Sequence, residues 1–206
     1  MTSTRVLGFG LSILMMSATI TGCLGLAFQR EFMESMREEP IVRNTEETVG
    51  FDYTFESNSL DSVLYNNETK IEFDDTVSQL VIIFRAQFPY SSLLEELVGN
   101  ETNQYRYVDA KLWKPGVRES GGDPFWEVKA TQDYPQQRFS FPQSDLTPGE
   151  WTFEVEARGY GFDAPVDQAS FYDHFETFAT ITKPCVVFAE SHENEDCTFL
   201  SDLQSS

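Results

Sequence analysis

The chain has 206 residues and a formal net charge of −20, with 34 acidic and 14 basic side chains. A surface so negative repels nucleic acid and anionic headgroups, which sets both aside as partners. Hydrophobic residues make up 40% and 18 are phenylalanine, enough to fill a core, which excludes a disordered chain.

The chain opens Met1-Thr-Ser-Thr-Arg5, continues with an apolar run from Val6 to Ile20, and reaches Thr21-Gly22-Cys23. One positive charge, a short apolar run and a small residue before a cysteine mark a secretory signal that ends in a lipidation site. Ile20-Thr21-Gly22-Cys23 resembles the lipobox of prokaryotic lipoproteins, in which a peptidase cuts before the cysteine and diacylglycerol is attached to its sulfur. The resemblance implies that residues 1–22 are removed and that Cys23 holds the protein, by its lipid, on the outer face of the cytoplasmic membrane. Two other readings stay open. Residues 6–28 carry no charge and are long enough to span a bilayer as a retained helix, although Gly8, Gly10, Gly22 and Gly25 weaken such a helix. An ordinary cleaved signal would leave Cys23 incidental. Arg5 keeps the N-terminus inside in both anchored readings, and the lack of an arginine pair argues against a twin-arginine route.

The acids are scattered with no repeated ligand spacing, which favours a solvated shell over the two functional readings of the charge, cation binding and a basic partner. Arginine outnumbers lysine nine to five, and the composition resembles that of secreted proteins of salt-adapted archaea. Of three cysteines, Cys185 and Cys197 remain once Cys23 is acylated. An even pair in an exported protein reads as a disulfide. It closes 11 intervening residues and stabilises by about 2–3 kcal/mol on the chain-entropy model. His192, Glu193 and Glu195 lie between the two, but the spacing is not that of a structural zinc site. Asn67 and Asn100 each begin an Asn-Glu-Thr triplet and are N-glycosylation acceptors by pattern.

Residues 23–48 read as a tether. Phe28, Phe32 and Met36 recur at helical spacing until Pro40 stops the helix. From Val49 the period is two, and residues 49–182 read as one β-sandwich domain. Val49, Phe51, Tyr53 and Phe55 face one way. Segments 62–65 and 70–73 flank the polar Asn66-Asn67-Glu68 as a predicted hairpin. Residues 79–88 are a strongly apolar, central strand. Residues 91–99 read as a short helix with a serine cap and a glycine stop. Strands follow at 104–113, 125–131, 137–141, 151–158 and 171–181. Residues 183–206 form a C-terminal extension with the disulfide loop. The fold class is all-β, an antiparallel sandwich.

One segment is more specific. Arg138-Phe-Ser-Phe141, then Leu146-Thr-Pro-Gly149-Glu-Trp151-Thr-Phe-Glu-Val-Glu-Ala157, resembles the E–F hairpin of immunoglobulin-like and fibronectin III-like domains. The resemblance implies an immunoglobulin-like sandwich. Trp151, Phe153, Val155 and Ala157 would be buried, with Thr152, Glu154, Glu156 and Arg158 solvated. Trp151 stands where a corner tyrosine is usual.

Chemistry is sparse. His174 and Glu176 share a strand face, as a dyad or metal pair would need, but a histidine paired with a neighbouring acid is the plainer reading. No nucleophile elbow, zinc-protease helix, phosphate loop or EF-hand spacing occurs, so neither a catalytic site, a metal nor a cofactor is expected. A surface of loops is the better candidate. Strand order places 89–103, 132–136 and 159–169 at one end, with Tyr90, Tyr134, Tyr160, Phe162, Asp163 and Asp167. Rings and carboxylates on loops suit sugar or peptide binding; the rings equally suit capping of the core. The expectation is a non-enzymatic, cell-surface lipoprotein for interaction at the envelope, with an unknown protein or carbohydrate partner. The alternatives are a carbohydrate- or solute-binding module and, third, an extracellular hydrolase.

Overall fold

The computed structural model describes residues 25–56, 62–90, 106–162, 170–188 and 197–205. The chain divides into two compact units, Met1–Ile41 with Val187–Cys197, and Val42–Val186 with Thr198–Ser206. In the first, residues 25–35 form helix α1. Its last turn is closed by the Met36 N–H on the Phe32 carbonyl, 3.2 Å, and by the Ser35 hydroxyl on that same carbonyl, 2.8 Å. The helix ends ahead of Pro40, whose restriction on the preceding residue disfavours helix there.

The strands are β1 Ile41–Thr54, β2 Val63–Phe73, β3 Gln79–Gln87, β4 Tyr107–Trp113, β5 Trp126–Ala130, β6 Tyr134–Pro142, β7 Gly149–Gly159, β8 Gly161–Phe162, β9 Phe171–Tyr172, β10 His174–Val187 and β11 Thr198–Phe199. The C-terminal helix α2 is Leu200–Ser205. One sheet runs β1-β10-β3-β6, with β11 on β10, the other runs β2-β7-β4-β5, and β8 pairs β9 alone. The all-β sandwich of antiparallel sheets is as expected, and β3 lies inside its sheet between β10 and β6.

The immunoglobulin type is not what the strand order shows. In an immunoglobulin sandwich the first two strands are neighbours in one sheet. Here β1 and β2 lie in different sheets. Counting the long strands in chain order, β10 is the eighth, so the sheets read 1-8-3-6 and 2-7-4-5. That is the order of an eight-stranded jelly roll, two interlocked Greek keys. The Pro-Gly turn does not close a hairpin: β6 and β7 lie in opposite sheets, so it is an inter-sheet corner, which an immunoglobulin sandwich also has between strands E and F.

Three further expectations need correction. Residues 62–73 are not a hairpin but the single strand β2, paired with β7 straight through Asn66↔Glu156, Asn67↔Val155 and Glu68↔Glu154. An edge strand tolerates polar residues because only one of its sides is bonded. Strand β1 begins at Ile41, so 41–48 are strand and not tether, and β10 continues to Val187, so 183–187 belong to the sandwich.

The core lies between the sheets. Trp151, Phe153, Val155 and Ala157 are fully buried, as their alternation requires, against Leu80, Ile82, Phe84, Phe175 and Ile181. Each buried Val, Leu, Ile or Phe side chain among them stabilises by about 1.5–3 kcal/mol. The Trp151 ring stands 4.6 Å from Phe73 and 4.9 Å from Phe125. Its indole N–H donates to the Thr147 carbonyl at 2.8 Å, so tryptophan makes the corner bond that tyrosine makes elsewhere. The outer side of β7 is less open than expected. Thr152 is buried and accepts from Lys70 Nζ at 2.8 Å. Glu154 accepts from the Trp113 indole at 2.9 Å and pairs with Arg118 at 2.8 Å.

Candidate binding site at the loop end of the sandwich

Strands β1, β3, β5 and β7 end, and β2, β4, β6 and β10 begin, at one end of the sandwich. The registers Val63↔Gly159, Tyr107↔Arg158, Val108↔Ala130, Ala86↔Tyr134 and His174↔Gln87 fix this within the sheets, and the contacts of Asp173 with Phe55, just past β1, and with Arg106, just before β4, bring β1 and the second sheet to the same end. Four connections therefore meet there. Two glycines let the chain pass so closely: a Cβ on Gly161 would fall 1.7 Å from the Phe55 carbonyl oxygen, and one on Gly159 2.6 Å from the Phe55 ring.

A buried ion pair ties the connections together. Arg106 donates from Nε to Asp173 Oδ2 at 2.8 Å, from a second nitrogen to Asp173 Oδ1, and from that nitrogen to the Pro89 carbonyl at 2.7 Å. The Tyr160 N–H donates to Asp173 Oδ2 at 2.9 Å, and the Phe55 N–H to the Asp173 carbonyl at 2.8 Å. The guanidinium lies 5.3 Å over the Phe88 ring. Both side chains are buried, at 3% and 0% exposure. Burial pushes the Asp173 carboxyl up, against the hydrogen bond and charge of Arg106. With both carboxylate oxygens engaged by donors, Asp173 is a structural tie and not a free base. No local pattern marks this tie, because its partners stand 67 residues apart.

Beside this tie opens a cleft of about 450 Å³, with Arg85, Gln87, Pro89, Asp133, Tyr134 and Tyr172 among its walls. Asp133 Oδ1 accepts the Phe88 N–H, which fixes the turn into β6. The Tyr134 ring stands edge-on to Phe84 at 5.2 Å, and its hydroxyl donates to Gln137 Oε1 at 3.0 Å. Arg85 faces Glu176 at 3.5 Å. Next to Pro89, Tyr90 is 55% exposed with φ of 61°, and its ring meets Phe171 edge-on at 6.0 Å. A bulky residue held in the left-handed region is an outlier of the kind that clusters at ligand sites.

Of the expected loop residues, Tyr90, Tyr134 and Tyr160 stand at this end. Tyr134 opens β6 and caps the core with its ring, and Tyr160 contributes its backbone to the Asp173 tie. Phe162 lies in β8, opposite Phe171. Asp163, Asp167, the 91–99 segment, Asn100 and Cys23 lie outside the described residues, as do His192, Glu193 and Glu195. Sequence reading missed Arg85, Gln87 and Tyr172, whereas Asp133 falls in the expected 132–136 loop without having been singled out. The first two alternate with buried residues on β3, a pattern that says "exposed" without saying what the exposed side faces.

His174 and Glu176 do share the outer face of β10, but they have different partners. His174 Nδ1 lies 3.0 Å from the Thr54 hydroxyl and 3.7 Å from Asp52, and Glu176 faces Arg85. Asn67 is exposed on β2, its amide donating to the Tyr65 hydroxyl at 3.2 Å. Cys185 and Cys197 are joined in a disulfide.

No family model matches the chain, and no curated protein does. Among solved structures, TmCBM61 in complex with β-1,4-galactotriose aligns over 73% of this chain and 89% of its own, at 9% identity and a TM-score of 0.31. The infectious bursal disease virus VP2 subviral particle aligns over 74% of this chain and 38% of its own, at 7% identity and a TM-score of 0.26. Alignments this loose carry no argument about fold or ligand; the strand order stands on its own.

Proposed function

We propose that this chain is a non-catalytic binding domain held on the outer face of the cytoplasmic membrane by lipid on Cys23, and that it engages its partner with the loop end of the jelly roll. The observation that carries the binding surface is the open cleft beside the Arg106–Asp173 tie. It joins the Tyr134 and Tyr172 rings to the guanidinium of Arg85, the amide of Gln87 and the carboxylate of Asp133. A rigid floor under a mixed aromatic and polar opening is the general form of a recognition site. The lipobox-like start supports the anchor.

The mixture of rings and polar groups in the lining favours one alternative within this reading, a carbohydrate- or solute-binding module. Rings stack on the apolar faces of sugars, while carboxylate, amide and guanidinium groups meet hydroxyls. Titration of the protein with a panel of soluble oligosaccharides tests it. A saccharide whose binding is lost in Tyr172→Ala and in Arg85→Ala, with the melting temperature held, supports the module. Binding that survives both substitutions moves the site elsewhere on the molecule.

A further inference from the structure

Helix α1 carries its largest apolar side chains in the open. Leu26, Phe28, Phe32, Met33 and Met36, the last just past its end, are between 57% and 71% exposed. At about 100° per residue they fall within an arc of roughly 160°, with Gln29 the one polar residue inside it. The opposite side holds Arg30 and Glu34, ion-paired one turn apart at 3.0 Å, with Arg37 alongside. Single exposed apolar residues are ordinary, but five on one side of one helix make a face that needs a cover.

We propose that this face lies in the membrane, with α1 parallel to the surface as an interfacial helix directly after the lipid anchor. Three observations choose lipid over protein as the occupant. The first is position. Cys23 stands five residues before Phe28, and the uncharged run 6–28 leads into the helix with no polar spacer, so the face begins where the acyl chains are. The second is width. A coiled-coil partner takes a narrow seam of two positions in seven, whereas a planar bilayer boundary takes a broad face such as this one. The third is charge. Arg30 against Glu31 and Glu34 leaves residues 25–35 at −1, a small part of the −20 of the whole chain. A helix so weakly charged meets zwitterionic headgroups without the repulsion that the acidic chain as a whole would feel from anionic lipid. The diacylglycerol on Cys23 brings two acyl chains, and the helix adds its buried apolar area to that attachment. The inference rests on the anchored reading above and can be separated from it experimentally.

The full-length protein is reconstituted in phosphatidylcholine vesicles with and without dibrominated phosphatidylcholine. Phe32→Cys and Glu34→Cys are each labelled with an environment-sensitive fluorophore; any dye at Cys23 contributes equally to both. The expected result is blue-shifted emission at position 32, quenched at least twofold by the brominated lipid, and aqueous emission with little quenching at position 34. Equal quenching at both positions means a spanning helix and overturns the proposal. So does the absence of quenching at either, or concentration-dependent self-quenching at 32 that ignores the brominated lipid, the mark of a second copy. The mass of the N-terminal peptide from the same sample reports the anchor separately. If the 32/34 contrast persists without lipid on Cys23, the interfacial helix stands and the anchor falls. Acylated Cys23 without the contrast is the reverse.

Discussion

Trp151 concentrates three roles in one side chain. It fills the core between Phe73 and Phe125, bonds back to Thr147, and lies 5.6 Å beneath the Lys114 ammonium. Trp151→Ala is expected to cost about 3–5 kcal/mol, the range for aromatic truncation in a core. Trp151→Phe keeps a ring and loses the bond, and should cost less. Glu154, on the other side of the same strand, holds both the Trp113 indole and Arg118. Its replacement by alanine should cost about 1–2 kcal/mol, since it leaves a part-buried donor unpaired. Denaturant melts of the three variants rank them. Tyr107 offers a check that needs no mutation. Burial, then its hydrogen bond to Glu156, push the phenol up to about 12. Because the folded value lies above the unfolded one of about 10, the associated stability is complete below pH 10 and lost as pH rises toward 12. An ultraviolet titration should show one tyrosine ionising well after the exposed ones.

At the scale of elements, what could be read from sequence was what repeats locally. The alternation Trp151-Phe153-Val155-Ala157 and the apolar 80–84 segment show burial directly, because one face or both faces of those strands meet the core. Strand β2 was illegible for a physical reason. It is an edge strand, so Asn66-Asn67-Glu68 meet solvent in mid-strand and look like a turn. Sheet membership was illegible because it is non-local: the same Pro-Gly corner serves two architectures. The loop end was foreseeable from strand count, but its tie and half of its cleft were not, since Arg106 meets Asp173 only after the whole domain has closed. Arg106→Met should therefore be severe, about 3–5 kcal/mol, because it strands a buried carboxylate. The C-terminal elements depend on covalent help. Strand β11 pairs with β10 only at Cys185↔Phe199 and Val186↔Thr198. Cys197→Ser should cost about 2–3 kcal/mol and should speed protease cutting after Val187, with the core spectra unchanged.

The whole molecule is governed by its charge. The outer side of the β2-β7-β4-β5 sheet interleaves signs. Arg118 bridges Glu68 at 2.7 Å and Glu154 at 2.8 Å, and Lys111 joins Asp109 at 3.0 Å and Glu127 at 3.5 Å. Exposed pairs of this kind contribute little each; their effect is to keep repulsion from concentrating. Two carboxyls register the arrangement. The hydrogen bond and charge of Arg118 hold Glu68 below the usual carboxylate range. At Asp74 burial pulls upward, but hydrogen bonds from Thr76 and the charge of Lys183 outweigh it and hold the group low. Lowered folded values mean stability that is present above the ordinary carboxylate range and lost as pH falls below about 4. General protonation relieves the repulsion of a chain at −20 and works the other way, so salt at neutral pH isolates the repulsion: melting should rise with added salt as screening shortens its reach.

The claim on which the functional account turns is that the loop end meets the partner. A photo-crosslinking residue placed at Tyr172, in the cleft, and in a second strain at Glu127, on the outer side of the sheet, tests it in native membranes. A discrete adduct is expected from position 172 and none from position 127. Adducts from 127 with none from 172 would contradict it and move the binding surface to the charged sheet.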